Sequence, residues 1–101
     1  LAVTGATTFS ASMNVPITVK TAAYTATADD YIIIQDGNAD ITLPAGVAGR
    51  VYIVKNTYTA AVNVLCQNAD DFEDGTNTLA LAVGATAKLV YSGGVWYQVG
   101  N

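Results

Sequence analysis

From Tyr24 onward the chain alternates short apolar runs with turn residues. Tyr31-Ile32-Ile33-Ile34-Gln35 is nearly continuous and apolar, the pattern of a strand covered on both faces. Asp36-Gly37-Asn38 then reads as a turn, and Asp40–Leu43 as a short strand stopped by Pro44. Ala45–Gly49 is a glycine-containing loop, followed by a strand over Val51–Lys55. Ala61–Cys66 alternates, with Val62, Val64 and Cys66 on one face, and Thr78–Val83 does the same through Leu79, Leu81 and Val83. Residues 67–77 between them are polar and turn-rich. Ala87–Tyr91 and Val95–Val99, joined by Ser92-Gly93-Gly94, form a hairpin. No window carries a 3.6-residue period. The spacing predicts about seven or eight strands over 24–101.

Residues 1–23 differ from this body. Leu1–Gly5, Thr7–Ser10 and Val15–Val19 are very short β pieces of small and β-branched residues, almost without charge. They are too slight to bury much by themselves, and Pro16, lacking an N–H, suits an edge or a strand start. The division expected is an arm over 1–23 and a body over 24–101. The fold class expected is all-β, a small antiparallel β-sandwich or barrel-like knob behind a short β arm.

Composition sharpens this picture. Charged residues are 12% of the 101-residue chain, against about 25% in an average domain. So few charges imply that part of the surface is covered by another chain. The net charge is −4, and the four cations (Lys20, Arg50, Lys55 and Lys88) are dispersed, so the basic footprint of a nucleic-acid binder is missing. The same acidity disfavours anionic membrane surfaces, and no apolar stretch approaches the roughly 20 residues of a helical span. No secretory signal pattern is visible, and the start at Leu1 raises the expectation of a longer parent chain.

Catalysis fails on inventory. The chain has no His, its few serines lack a nucleophile-elbow context, and Ala45–Gly49 lacks the Lys-Ser/Thr ending of a phosphate loop. No catalytic, cofactor-binding or metal-ligating residue is assigned, and the chain is read as a non-enzyme. The acidic run Asp70-Asp71-Phe72-Glu73-Asp74-Gly75 does not match the alternating spacing of a calcium loop and reads as a solvated turn with Phe72 in the core. The lone Cys66 reads as a small buried hydrophobe. Among the aromatics, Trp96 and Tyr97 are strand neighbours and must point to opposite faces. Tyr58, in a turn, is expected to be the best exposed aromatic and is the candidate ligand-facing residue.

The order of these pieces resembles a β-rich module of bacteriophage tail and head fibre proteins. The resemblance is carried by Tyr24-Thr25-Ala26, Asp30–Ile34 with Asp36, Ile41-Thr42-Leu43-Pro44, Gly49 with Val51–Asn56, Val62 and Val64, Asp74-Gly75, Leu79 and Leu81, then Lys88-Leu89-Val90 and Gly93-Gly94-Val95-Trp96-Tyr97. It covers about three-quarters of the chain, and Val3-Thr4-Gly5 with Thr8-Phe9 is similar to fibre-shaft sequence. Related modules often carry Ile before the Asp-Gly turn, where this chain has Phe72-Glu73. The resemblance implies a homotrimer on the outer surface of a virion, without cofactors. Residues 1–23 would form its shaft, with Val3, Phe9, Val15, Ile17 and Val19 as candidate trimer contacts. The body would be a knob whose loops adhere to a bacterial surface glycan or protein. The alternative is a carbohydrate-binding module of a bacterial adhesin or secreted protein.

Overall fold

The computed structural model describes residues 14–67 and 69–100, and every regular element among them is a β-strand. Ten strands follow in order: β1 (Ile17–Lys20), β2 (Tyr24–Thr25), β3 (Ile32–Gln35), β4 (Ile41–Thr42), β5 (Val51–Asn56), β6 (Val62–Leu65), β7 (Asp71–Phe72), β8 (Thr78–Leu81), β9 (Thr86–Ser92) and β10 (Val95–Gly100). The chain is all-β, as expected. Nine of these strands lie in the body. β7 falls within the stretch read as turns, where two residues are too few to show a period.

Two sheets divide the strands, ordered β1-β3-β5-β9-β10-β7 and β2-β4-β6-β8. Consecutive strands from β1 to β6 alternate between them. Each strand therefore comes to lie beside the one two places earlier, and β1, β3 and β5 pair in parallel, as do β2, β4 and β6. The expectation of antiparallel sheets is corrected: the sheets are mixed. A parallel neighbour needs a crossover, and here the strand in the opposite sheet supplies it in place of a helix. Antiparallel pairing enters only towards the C-terminal end, where β8 runs against β6, β9 against β5, and β10 against β9. The β9–β10 hairpin forms as predicted, its two-residue loop made by Gly93 (φ 60°) and Gly94 (φ 88°). Both positions need the left-handed region that glycine enters without strain.

The turns of chain stack in register. Thr18, Ile33, Val54 and Ala87 form one inward row of the six-stranded sheet. Tyr24, Ile41, Val64 and Leu79 form the matching row of the other. These rows meet in one apolar core with Leu43, Tyr52, Leu89 and Trp96, all fully buried. Each buried Ile, Leu or Val contributes about 1.5–3 kcal/mol. Trp96 packs between Tyr52 (centroids 5.7 Å apart) and Tyr91 (5.2 Å), and its Nε1 has no hydrogen-bond partner. The Tyr52 hydroxyl crosses the core to donate to the Thr27 carbonyl at 2.8 Å. Phe72 is buried, as expected of the acidic turn.

β1 belongs to the expected arm, yet it pairs with β3 along its whole length, from Ile17↔Ile32 to Lys20↔Gln35. Residues 17–20 thus continue the body's sheet across the boundary placed at residue 23. Residues 1–13 lie outside the described residues.

Two buried polar side chains close the corners where the chain leaves the six-stranded sheet. Gln35 ends β3 and Asn56 ends β5, and the two are register partners. Gln35 accepts from the Gly37 N–H (2.9 Å) and donates to the Ala22 carbonyl (3.1 Å). Asn56 accepts from the Tyr58 N–H (2.8 Å) and donates towards the carbonyls of Ala60, Leu81 and Ala82. Each amide oxygen thus caps the N–H two residues on, and each amide nitrogen ties in a neighbouring segment. Asn56→Ala strands these partners inside the protein and is expected to lower unfolding stability by about 3 kcal/mol. Asn63→Ala, outward on β6, is expected to change it by less than about 0.5 kcal/mol. Urea denaturation of both variants checks the contrast.

Candidate functional site

The sequence-predicted residues are placed unevenly. Val3 and Phe9 lie outside the described residues. Val15 is half-buried, whereas Ile17 and Val19 are 61% and 60% exposed on β1, an edge strand. Trp96 and Tyr97 do point to opposite faces, the first fully buried and the second 41% exposed. Tyr58 is half-buried against the core, because Asn56 holds its N–H and turns the segment inward. This corrects the expectation that Tyr58 is the best exposed aromatic; Tyr97 is more open.

Five of the eight carboxylates, Asp30, Asp36, Asp70, Glu73 and Asp74, accept hydrogen bonds from the protein's own donors. Asp70 accepts from the Gly46 N–H (2.9 Å) and the Tyr91 hydroxyl (3.0 Å), joining two loops to β9. A Cβ at Gly46 would overlap the Tyr91 ring, so this close approach requires glycine. Glu73 accepts from the Gln98 N–H, and Asp74 from the Thr76 N–H and hydroxyl. Among the described residues no three metal-ligating side chains come together.

Asp30 is the densest of these nodes. Its carboxylate accepts from the hydroxyls of Tyr24 (2.6 Å) and Thr18 (2.7 Å) and from the Thr27 N–H (2.9 Å), so β1, β2 and the approach to β3 share one group. Partial burial pushes its pKa up, but hydrogen bonds from Tyr24, Thr18 and Thr27 outweigh that and hold it below the ordinary carboxylate value. Cys66 behaves oppositely. Burial, followed by the charges of Asp70 and Asp71, pushes its thiol up to about 12. A shift in that direction keeps the thiol protonated at neutral pH.

Among the described residues, two recesses are notable. One of about 430 Å³ is lined by Leu79–Ala82, Gly84–Thr86 and Gln98, and holds no titratable side chain. A smaller one of about 160 Å³ is lined by Phe72, Glu73, Asp74, Leu79, Trp96 and Gln98. Neither assembles a nucleophile with a base.

The outward surfaces of the two sheets are chemically unlike. Register places Thr25, Thr42, Leu65 and Thr78 in one outward row of the four-stranded sheet, beside Asn63 and Ala80. On the six-stranded sheet, Ile17, Ile32 and Ile53 form an isoleucine row across three adjacent strands, ending at Lys88. Val19 and Ile34 lead to Lys55 in the next row, and Val51, Val90 and Tyr97 form a third. Val95 stands beside Asp71 at the β7 edge. Sequence reading named Ile17 and Val19 but missed the rest of this surface. The available signal was the Ile32-Ile33-Ile34 run, apolar at both parities. Compared with known proteins, the chain matches no family model, no curated protein and no solved structure.

Because the folded pKa of Asp30 lies below its ordinary 3.8, its hydrogen bonds stabilise the protein above that pH and are lost as pH falls through the folded value. Asp30→Asn is therefore expected to lower the melting temperature at pH 7 and to flatten its fall between about pH 4 and 2. Thermal melts across that range test it; an unchanged acid limb would count against the assignment. For Cys66, alkylation by iodoacetamide at pH 8 is expected to be at least about tenfold slower in the folded protein than in urea. Mass spectrometry of the labelled thiol measures the ratio.

Proposed function

We propose that the chain is a structural module of a bacteriophage fibre: a sandwich-like knob, with residues 1–23 as shaft, that assembles as a homotrimer on the virion's outer surface. Its loops would present weak sites for a bacterial surface glycan or protein, and three copies on one rigid knob would reinforce one another through effective concentration. The observation that carries the assembly is the outward surface of the six-stranded sheet. A single chain leaves Ile17, Val19 and Tyr97 in water there, with half-buried Ile32, Ile34 and Ile53 beside them. Contiguous apolar surface of this kind marks an interaction site. The ordered motifs that resemble fibre modules support the fibre assignment.

The second reading, a carbohydrate-binding module, is favoured by the exposed Tyr97 and by the recess that brings Glu73, Asp74 and Gln98 beside Trp96. Light scattering separates the two. The knob is expected to have a mass three times the 10.4 kDa of one chain. A monomer at micromolar concentration overturns the trimer and leaves the carbohydrate-binding module.

A further inference from the structure

We infer that the outward surface of the six-stranded sheet is where copies of this chain meet, the β1-β3-β5 half of one copy packing on the β9-β10-β7 half of the next. The inference rests on the trimer reading and goes beyond it by naming the surface and the order of contact.

The first argument is the contrast between faces. Both sheets bury their inward rows in the same core, so neither needs outward apolar residues to fold. The four-stranded sheet presents threonines at Thr25, Thr42 and Thr78, with Leu65 the one large apolar residue of that row. The six-stranded sheet instead presents Ile17, Ile32 and Ile53 in one row, and Val51, Val90 and Tyr97 in another. β-branched side chains favour strands, but threonine satisfies that preference on an exposed face without adding apolar surface. The isoleucines and valines therefore provide for a covering layer.

The second argument is charge, which selects the occupant. A second copy brings the same net −4, so most approaches between copies are repelled. Two of the four cations, Lys55 and Lys88, stand outward on this one surface. Asp71 stands outward at its far edge, on β7. The surface is thus cationic towards its middle and acidic at one rim. Sliding the β7 rim of one copy towards Lys55, on β5 of the next, brings opposite charges together. The apolar rows then meet at the centre, where water is excluded. The two halves are different surfaces, so the contact is heterologous, and a rotation that closes it makes a ring.

Cross-linking tests the order of contact. In a Cys66→Ala background, Ile17→Cys and Tyr97→Cys are combined in the full chain and treated with a short bis-maleimide. Within one copy these positions are four strand spacings apart, roughly 19 Å, beyond such a linker. The expected result is a ladder ending in covalent trimer on a denaturing gel. Ile53→Lys is expected to reduce the light-scattering mass to that of one chain, whereas Thr25→Lys, on the other sheet, leaves it unchanged. A trimer that Ile53→Lys leaves intact and that yields no cross-linked ladder overturns this surface while the trimer reading stands. A monomeric unmodified chain overturns both. Should Ile53→Lys fail to fold, the cross-linking result decides alone.

Discussion

The side-chain amides of Gln35 and Asn56 lie in register at the ends of two adjacent parallel strands, and the placement of both sheets depends on them. At each corner the chain must leave the six-stranded sheet and start a strand in the other. Two residues on, the Gly37 and Tyr58 N–H groups find no backbone acceptor among the described residues, and burial without a partner costs about 1–3 kcal/mol per group. A fully buried amide answers this locally, since it accepts from the N–H two residues on and donates to a carbonyl of another segment. The same device at both corners makes the successive turns of chain superimpose. It also connects them to the capping part of the fold, because Asn56 holds the carbonyls of Leu81 and Ala82 just where β8 ends.

The amides also decide which way β3 faces. Ile32, Ile33 and Ile34 are equivalent in hydrophobicity, so the usual penalty for a one-residue slip, which exposes the core face, is weak in this strand. Gln35 breaks the tie. Its amide finds partners only inside the corner, which sets Ile33 inward and Ile32 and Ile34 outward. Asp30 adds a second anchor at the start of the same strand by gathering Thr18, Tyr24 and Thr27. A strand with two apolar parities can thus contribute to the core and to an outer apolar row, provided polar groups at its ends set the register.

This explains what was legible in the sequence. The β9–β10 hairpin was readable because Gly93-Gly94 encodes its turn locally, and the opposed faces of Trp96 and Tyr97 follow from strand periodicity alone. Phe72 was readable as an apolar residue in an acidic turn. The direction of pairing was not. Alternation reports which side chains face inward, and it is the same for parallel and antiparallel neighbours; β1, β3 and β5 therefore gave no warning that they run side by side. Tyr58 was misjudged because turn residues suggest exposure, whereas a neighbouring amide turned this one onto the core. Gln35 and Asn56 went unnoticed because a single polar residue at a strand end looks like the start of a turn. Their burial depends on a corner that exists only once the turns of chain are stacked.

The same stacking makes the outer surfaces unequal. In a parallel stack, like residues from successive turns fall beside one another, so a bias in one strand is repeated across its neighbours. Threonines at Thr25 and Thr42 thereby become a polar row, and isoleucines at Ile17, Ile32 and Ile53 an apolar one. An antiparallel meander would juxtapose such residues only through the choice of each hairpin. Here one register, held by two amides, aligns them all. The constraint that closes the corners is therefore also what gathers scattered isoleucines into one continuous surface, and a chain with only 12% charged residues has little else to keep that surface stable in water.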